Sequence, residues 1–467
     1  MQLETPRVVV AGLAGDSGKT LVTLGLARAL TVRGVRVAPF KKGPDFIDTG
    51  WLSAAAGTVA RNLDTFLMPP EGIGEAVARS LPADLVLVEG NRGLYDGMDA
   101  AGSCSTAELA VLLGAPVLLV VDVTKSTRTV AALVKGCQVL DPRVDLAGVI
   151  LNRVGTARQE RVIRDAIAAA GGPPVVGAIP RMRGEDPLPG RHLGLVTAVE
   201  RPDSEAAVER AAAVVAEHVD LEAVLAVART AGRVELPEMS MTTGRRATRV
   251  AVFRDETFSF FYPENLEALE AGGAELLWVS PRQDRPLPPD VDAVYIGGGF
   301  PELAVRELSA TSELRDSLAG ACSRGLPVFA ECGGLMLLAR ELVVDGTAWP
   351  MLGVLDLVVE HTDRPRGHGY VLGTVDRPNP FFPVGQEIRG HEFHYSRVVG
   401  GSDRNTTVMT LQRGTGVEAG RDGVVRGNIW ASYTHLHALG TVIWAGGFLE
   451  AAVSWHNDGP GTAVAWA

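Results

Sequence analysis

The first residues with an evident chemical use lie near the amino terminus. Gly12-Leu-Ala-Gly15-Asp-Ser17-Gly18-Lys19-Thr20 follows a short apolar run and precedes a helical pattern that starts at Leu21. A glycine-rich turn between a strand and a helix presents backbone N–H groups to phosphate. In such a loop Lys19 reaches the β- and γ-phosphates, and the Thr20 hydroxyl binds Mg²⁺. The segment predicts binding of ATP with Mg²⁺, and a chance glycine turn is the alternative.

Charged side chains follow two other apolar runs of the N-terminal half. In a parallel sheet the ends of these runs meet at the edge that carries the phosphate loop, where such folds bind ligands. Mg²⁺ prefers a few hard oxygen ligands in addition to phosphates. The candidate oxygen ligands are Asp45, Asp48 and Glu89. Capping of a helix or a turn is the alternative for each of them.

One cysteine of the C-terminal half lies where a nucleophile is commonly presented. Leu326–Ala330 is typical of a strand, Gly333-Gly334-Leu-Met-Leu-Leu338 is typical of a helix start, and Cys332 lies at the turn between them. Such a turn exposes a thiol, and a helix N-terminus can lower the pKa of a cysteine. The following glycines leave backbone amides free for an oxyanion. We therefore expect Cys332 to be a nucleophile and the other three cysteines to be structural.

A thiol nucleophile needs a base, and histidines concentrate toward the C-terminus. His391 with His394 and His435 with His437 form two close pairs. The second pair follows the apolar run Ile429–Ala431, so a strand end would present one of its members to the thiol. A metal site built from the four histidines is the alternative, although no Cys or Asp stands at a suitable spacing.

Two series of apolar runs predict the elements that position these groups. The runs lack polar alternation, as strands buried on both faces do, and helical patterns separate them, so we expect α/β domains with parallel sheets. Periodicity disappears from Thr230 to Thr248, which we interpret as a linker. The N-terminal runs are Val8–Ala11, Val35–Phe40, Leu85–Val88, Val117–Val121, Ala147–Leu151 and Val175–Ile179; the C-terminal runs are Arg249–Phe253, Ala274–Val279, Ala293–Ile296 and Pro327–Ala330.

Length and composition limit the classes of function. The 467 residues exceed one ordinary domain, and 46% hydrophobic with 21% charged residues is globular composition. The net charge of −11 argues against nucleic acid as a partner, because phosphate backbones require a basic surface. The longest apolar stretch, Leu109–Val121, contains Gly114 and Pro116 and is shorter than the roughly 20 residues that span a bilayer. No signal peptide is visible, and four cysteines form no disulfide framework, so we expect a cytoplasmic protein without a membrane partner.

Taken together and in order, motifs along nearly the whole chain resemble the cobyrinic acid a,c-diamide synthases, a family of glutamine-dependent tetrapyrrole amidases that includes a sirohydrochlorin and siroheme branch. The matching segments are Ser17–Thr20, Pro39–Asp45, Arg61–Asp64, Val88–Gly90, Gly93–Gly97, Ser105–Glu108, Gly148–Val154, Arg191–Leu195, Phe260–Asn265, Gly297–Glu302, Ala330–Gly334, Arg389–Tyr395 and Ala431–His437.

The resemblance implies an architecture and a set of roles. Residues 1–200 would be a P-loop amidoligase domain of the dethiobiotin-synthetase-like type, which carries Gly12 where the strict motif has glycine at position 13. Residues 201–246 would be a helix and linker, and residues 247–467 a class I glutamine amidotransferase-like domain. The family leaves open a homodimer.

Site residues carry over by position. Cys332 and His435 would be catalytic, with Gly299 and Gly333 as the oxyanion site. Gly15, Ser17, Gly18, Lys19, Thr20 and Asn152 would bind ATP, and Thr20, Asp45 and Glu89 would bind Mg²⁺. The substrate ligands would be Lys41, Lys42, Asp45, Asp48, Arg92, Asp96, Tyr262, Arg389 and His391.

The implied reaction joins ammonia to carboxylates of a tetrapyrrole. ATP would convert a carboxylate into an acyl phosphate, while Cys332 would release ammonia from glutamine. Phe40–Gly43 and Glu89–Leu94 look more like the branch that amidates sirohydrochlorin or siroheme, and cobyrinic or hydrogenobyrinic acid is the alternative. Class I glutaminases often carry Glu two residues after the catalytic histidine. Here that position is His437, so the group that orients His435 is open.

A hypothesis from another class is a P-loop switch ATPase of the partitioning type, fused to an inert amidase-like domain. The intact Cys332 and the downstream His435 argue against it. Such switches also tend to have a second lysine early in the phosphate loop, where Leu13, Ala14 and Gly15 stand here.

Overall fold

The structure is a computed structural model that describes residues 1–182, 190–191, 194–198, 200–201, 203–239, 247–401, 406–418 and 420–458. The chain divides into two compact units, Met1–Thr65 with Pro69–Met239, and Phe66–Met68 with Ser240–Ala467. Part of the Arg191–Leu195 motif and residues 240–246 of the predicted linker lie outside the described residues. Within the described ranges, no helix combines the length and the apolar character that crossing a bilayer requires.

The first unit contains eleven of the described strands and eight helices. The strands are β1 (Gln2–Leu3), β2 (Arg7–Gly12), β3 (Val37–Lys42), β4 (Arg61–Leu63), β5 (Leu85–Gly93), β6 (Val117–Asp122), β7 (Leu146–Val154), β8 (Val175–Pro180), β9 (Gly190–Arg191), β10 (Gly194–Leu195) and β11 (Val234–Glu235). The helices are α1 (Lys19–Val32), α2 (Phe46–Ala56), α3 (Pro70–Ala78), α4 (Thr106–Leu113), α5 (Thr129–Leu140), α6 (Ala157–Ala169), α7 (Ser204–His218) and α8 (Leu221–Arg229).

Seven of these strands form one parallel sheet in the order β4-β3-β5-β2-β6-β7-β8. All six residues of central β2 are buried, which explains the unbroken apolar run Val8–Ala11 within it. The six N-terminal runs predicted as strands all fall in this sheet, so the predicted parallel α/β architecture is confirmed. The register places Lys41 of β3 beside Glu89 of β5, and this pairing builds the edge described below.

The predicted linker region begins as part of the first unit. β11 pairs with β1 in antiparallel register, Gln2 beside Glu235 and Leu3 beside Val234. The amino-terminal nitrogen of Met1 also donates to the carbonyl of Leu236 over 2.6 Å. Long-range contacts of this kind produce no local periodicity in the sequence, and for that reason the sequence predicts a linker at these residues.

The second unit contains fourteen of the described strands, five α-helices and a 3₁₀ turn at Pro301–Ala304. The strands are β12 (Thr248–Phe253), β13 (Ala274–Val279), β14 (Ala293–Ile296), β15 (Val328–Glu331), β16 (Glu341–Val344), β17 (Thr347–Pro350), β18 (Leu357–His361), β19 (Gly367–Val375), β20 (Glu387–His394), β21 (Ser396–Gly401), β22 (Thr406–Arg413), β23 (Arg421–Arg426), β24 (Ile429–Ser432) and β25 (His435–Leu436). The helices are α9 (Pro263–Ala271), α10 (Val305–Ser309), α11 (Ser312–Ser323), α12 (Gly333–Leu338) and α13 (Ile443–Asp458).

A mixed sheet of ten strands organises the second unit, in the order β13-β12-β14-β15-β24-β23-β22-β19-β20-β25. Its first five strands are parallel and the others pair antiparallel. Side chains alternate between two apolar clusters, because Val328 and Ala330 of β15 join one and Phe329 joins the other. This alternation sends Glu331 and Cys332, at the end of β15, in different directions.

Candidate functional site

The phosphate loop runs from β2 into α1. Gly18, the residue before α1, has φ 94°, and a Cβ built there would lie 2.0 Å from Asn152 Nδ2. Only glycine fits this position, because a side chain would be both strained and blocked. Ser17 Oγ donates to the Ala14 carbonyl over 2.9 Å, and Lys19 Nζ donates to the same oxygen over 3.2 Å. Gly15, at the loop tip, has open space where a Cβ would stand.

Asn152, predicted to bind ATP, contacts the phosphate loop in this structure. Its Nδ2 donates to the Ser17 carbonyl over 2.9 Å, from the C-terminal part of β7. The next residue, Arg153, donates to the Asp16 carbonyl over 3.0 Å and forms an ion pair of 2.6 Å with Asp122. The end of β7 therefore braces the phosphate loop and gives Asp16 a neighbouring positive charge.

Lys41 is the centre of a buried charge cluster at the same edge. Its Nζ lies 2.8 Å from Glu89 Oε1 and 2.5 Å from Asp48 Oδ2, and its side chain is 4% exposed. Burial lowers the pKa of Lys41, but the charges of Asp48 and Glu89 outweigh it and raise that pKa above its ordinary value. Lys41 therefore remains a cation although it is desolvated.

Asp45 contributes to this cluster while capping a helix. Its Oδ1 accepts hydrogen bonds from the N–H groups of Ile47 and Asp48, both over 2.8 Å, at the start of α2. Burial and the charge of Asp48 raise the pKa of Asp45 to about 7. In this structure Asp45 Oδ1 caps α2, which is the role that the capping alternative assigns to this residue.

The predicted Mg²⁺ ligands fit a divalent cation in part. Thr20 Oγ1 donates to Glu89 Oε1 over 2.7 Å, so these two ligands stand together beside the phosphate loop. Glu89 is fully buried, and its Oε2 has no hydrogen-bond partner among the described residues. A buried carboxylate oxygen beside a hydroxyl suits Mg²⁺. Asp45 is already engaged by two backbone N–H groups, so Thr20 and Glu89 are the stronger pair.

The other predicted substrate ligands of the first unit differ in exposure. Lys42 is buried, with Nζ 3.5 Å from Asp64 Oδ2. Arg92, at the end of β5, is exposed and has φ 50°. Asp96 is exposed, and its Oδ2 accepts from the Gly93 N–H over 2.8 Å. Asp96 thus closes the turn that presents Arg92.

In the second unit, Cys332 lies at a sharp turn between β15 and α12. Its φ of 48° and ψ of −100° are uncommon for a residue with a side chain. The Cys332 N–H donates to the Ser432 carbonyl over 2.7 Å, which ties the turn to β24. Burial and the charge of Glu302 raise the pKa of the thiol, while the Gly333 N–H acts in the opposite direction. This differs from the lowering expected of a helix start, since α12 has only six residues and the thiol is buried.

The glycines predicted to form the oxyanion site lie together. A Cβ built on Gly333 would come within 2.9 Å of the Gly299 nitrogen, so the two backbones are close. Gly299 could not carry a side chain, because its Cβ would stand 1.8 Å from the Thr257 carbonyl oxygen. A Cβ on Gly298 would lie 3.1 Å from His435 Nε2, which brings the predicted base to the same loop.

Two residues predicted to bind substrate lie in a row beside His435: His391 contacts His435, and Tyr262 contacts His391. The His391 ring stacks on the His435 ring with centroids 4.9 Å apart, and Tyr262 Oη lies 3.2 Å from His391 Nδ1. Burial, reinforced by the charges of neighbouring histidines, lowers the pKa of His391 well below its ordinary value. His391 is therefore neutral near pH 7, which suits a packing partner of the base.

Arg389, another predicted substrate ligand, is more exposed than His391 and Tyr262. Its side chain is about half exposed, pairs with Glu387 over 3.0 Å and lies over the Phe66 ring at 5.8 Å. Phe66 in turn stacks on Tyr370 at 4.4 Å. These contacts are all within the second unit and leave the guanidinium accessible.

Sequence reasoning missed one group at the thiol site. Glu331 is 2% exposed, and its Oε2 lies 3.6 Å from His435 Nδ1. The charged residue next to Cys332 was the available signal, but adjacency along a strand normally points two side chains apart. Among the described residues, no three His, Cys, Asp or Glu side chains form a metal-binding group, so the four histidines do not assemble the alternative metal site there.

Comparisons with known proteins match both units. The model of the CobQ/CobB/MinD/ParA nucleotide binding domain matches residues 8–194, and that of the CobB/CobQ-like glutamine amidotransferase domain matches residues 249–442. The chain is 42% identical to a cobyrinate a,c-diamide synthase of Magnetococcus marinus, covering 95% of this chain and 97% of the relative. It is 39% identical to the enzyme of that name from Archaeoglobus fulgidus, covering 97% and 99% respectively.

Proposed function

Because the chain belongs to the cobyrinate a,c-diamide synthase family, and is thus a glutamine-dependent ligase, we propose that it amidates the a and c acetate side chains of cobyrinic acid. We further propose an acyl phosphate intermediate and Cys332 as the nucleophile that releases ammonia from glutamine. The observation that carries the proposal is the thiol turn, where Cys332, the loop of Gly299 and the ring of His435 come together.

The first step makes a good leaving group. A substrate carboxylate oxygen attacks the γ-phosphorus of ATP, ADP departs, and an acyl phosphate forms. Lys19 would hold the β- and γ-phosphates, with Gly18 and the N-terminus of α1 supplying N–H groups. Mg²⁺, when held by Thr20 and Glu89, would neutralise phosphate charge. Lys41 is already satisfied by two carboxylates, so we assign it to fixing Glu89.

The second step releases ammonia. Cys332 passes its proton to His435 while Sγ attacks the side-chain amide carbon of glutamine. The N–H groups of Gly299 and Gly333 would stabilise the resulting oxyanion. His435 then protonates the leaving nitrogen, the C–N bond breaks, and a glutamyl thioester remains. Water hydrolyses the thioester to glutamate and restores the thiol.

In the last step ammonia attacks the acyl carbon, phosphate leaves, and an amide forms. Repetition at the second acetate gives the diamide. The raised pKa of Cys332 supports a neutral resting thiol that ionises only when His435 accepts its proton. The resting enzyme is thereby protected from wasteful attack by other electrophiles.

Cobyrinic acid is favoured over sirohydrochlorin because the similar relatives carry the name cobyrinate a,c-diamide synthase. The segments Phe40–Gly43 and Glu89–Leu94 pointed to the sirohydrochlorin branch, and neither has a feature in this structure that selects between the two macrocycles. Both substrates are polycarboxylates and would meet the same basic residues of the first unit, Lys42 and Arg92.

The decisive experiment supplies ATP, Mg²⁺ and glutamine with cobyrinic acid or with sirohydrochlorin, and follows the macrocycle by mass spectrometry. We expect the mass change of two carboxyl-to-amide conversions with cobyrinic acid. Conversion of sirohydrochlorin alone would overturn the choice of substrate but not the reaction. ATP hydrolysis with neither macrocycle changed would instead support the switch ATPase.

A further inference from the structure

Glu331 precedes the proposed nucleophile and reaches the opposite side of the proposed base. Glu331 Oε1 accepts a hydrogen bond from the Leu436 N–H over 2.9 Å, and its Oε2 lies 3.6 Å from His435 Nδ1. The side chains of Glu331 and His435 are 2% and 3% exposed, so little water screens their interaction. One carboxylate thus holds both the backbone after His435 and the ring of His435.

Two neutral side chains fix this carboxylate. Tyr295 Oη donates to Glu331 Oε2 over 3.1 Å, and Asn265 Nδ2 donates to Tyr295 Oη over 3.2 Å. Asn265 also donates to the Leu436 carbonyl over 2.9 Å and accepts from the Ala438 N–H over 2.7 Å. The chain from Leu436 to Ala438 is therefore clamped by the same network that holds Glu331.

His437, two residues after His435, serves a different purpose. Its Nδ1 accepts from the Leu439 N–H over 3.2 Å, so its proton resides on Nε2. That Nε2 lies 3.5 Å from Glu264 Oε2, and both side chains are fully buried. The ring also packs on Tyr262, with centroids 4.4 Å apart. Both ring nitrogens of His437 are thus directed at groups other than His435.

We infer that Glu331, from the nucleophile's own strand, is the positioning residue that orients His435 and stabilises its positive charge. The inference rests on the proposed roles of Cys332 and His435. A carboxylate facing Nδ1 keeps the proton there, so Nε2 is the unprotonated nitrogen that accepts the thiol proton. When His435 becomes an imidazolium, the charge of Glu331 compensates it in a site that excludes water. The nucleophile, its base and the orienting group are then contributed by Glu331-Cys332 and His435.

The test compares three variants in glutamine-dependent and ammonia-dependent amidation of cobyrinic acid. Glu331→Gln keeps an oxygen for the Leu436 N–H but removes the charge. Tyr295→Phe keeps the charge but frees one carboxylate oxygen. His437→Gln is the matched control, because glutamine reaches the position of Nε2 and still donates to Glu264. Ammonia-dependent amidation, which needs no thiol, reports intact protein.

For Glu331→Gln we expect kcat with glutamine to fall on the order of 100-fold, with KM for glutamine and the ammonia rate retained. The acidic limb of its kcat/KM profile moves to lower pH, since the imidazolium has lost its counter-charge. Tyr295→Phe gives a smaller fall and His437→Gln a smaller one still. Wild-type turnover and an unmoved acidic limb in Glu331→Gln, or an equal loss in His437→Gln, would overturn the inference. Loss of the ammonia rate in Glu331→Gln would also overturn it, as a folding effect. Glutamine turnover by Cys332→Ala would instead refute the proposed function.

Discussion

At the edge of the first unit's sheet, Lys41 is surrounded by carboxylates that favour its charged form. At the turn of the second unit, burial and the charge of Glu302 favour the neutral form of the Cys332 thiol. Both groups are buried. The lysine is kept ionised by Asp48 and Glu89, and the thiol is kept neutral by desolvation. Before any reaction, the buried group of the first region is therefore charged and that of the second region is neutral.

The difference follows from what the proposed function requires of each region. A site for ATP and a polycarboxylate must present charge to anions, so its charges are fixed in advance and compensated until the ligand arrives. A thiol that attacks glutamine in the proposed reaction is better held protonated until the base accepts its proton. Substitutions at the two regions should accordingly fail in different ways.

The largest expected effect is at the thiol. Cys332→Ala should lower glutamine-dependent amidation by about 10⁴-fold, because the nucleophile is removed, and should leave ammonia-dependent amidation in place. Product formation with glutamine and with ammonium salt, measured on the same preparation, checks this. Loss of both activities would mean that the thiol supports the fold and that the contrast between the two regions is drawn wrongly.

Next is the stability of the charged edge. Lys41→Met leaves Glu89 and Asp48 without their cation, and breaking a buried pair in this way costs about 3–5 kcal/mol. Thermal unfolding at pH 8 should show a large fall in melting temperature. The fall should shrink at lower pH, because the abandoned carboxyls take up protons in the folded state.

Arg36→Met is the matched control for that prediction. Arg36 pairs with Asp84 over 2.8 Å, but both side chains are well exposed, so the pair adds little. A melting temperature that responds equally to both substitutions would show that the Lys41 cluster is not energetically distinct from the surface.

The third prediction concerns catalysis at the same edge. Lys19→Met should lower amidation with glutamine and with ammonia alike by about 10²–10³-fold, the usual effect of removing one preorganised donor from a developing charge. Steady-state rates with each nitrogen source measure it. If only the glutamine-dependent rate fell, Lys19 would act on ammonia supply and the division of roles would be incorrect.

Contiguous features of these regions can be predicted from the sequence, whereas features that depend on strand pairing cannot. The phosphate loop is contiguous, so its position between β2 and α1 could be read directly from glycine spacing. The ion pair of Lys41 with Glu89 depends on the register of β3 against β5, which local patterns do not specify. The apolar runs predicted strands buried on both faces, but not that Val328 and Phe329 join different apolar clusters.

The thiol site was predictable only in outline. The strand–turn–helix pattern identified Cys332, but its raised pKa arises from burial by distant segments. Glu331 was passed over for the same reason, because its contacts with Leu436 and Tyr295 join residues far apart in the chain. The loss of periodicity from Thr230 likewise predicts a linker but gives no indication that Val234 and Glu235 pair with the amino terminus.

The smallest effect tests whether His391, which packs on His435, is neutral in the folded unit. His391 has a pKa well below that of an unfolded histidine, about 6.5, chiefly because it is buried. Below pH 6.5 the unfolded chain therefore binds a proton that the folded chain does not, and stability falls as the pH falls. The contribution of His391 has a slope of at most about 1.4 kcal/mol per pH unit.

Denaturant unfolding of wild type and His391→Gln between pH 7.5 and pH 5.5 isolates this contribution, because all other titrating groups are shared. We expect the difference in unfolding free energy to move in favour of the variant as the pH falls, since glutamine takes up no proton in either state. A difference that moves in favour of the wild type as the pH falls would mean that His391 is protonated in the folded unit. In that case the thiol site would carry a resident positive charge and would resemble the lysine cluster more than it differs from it.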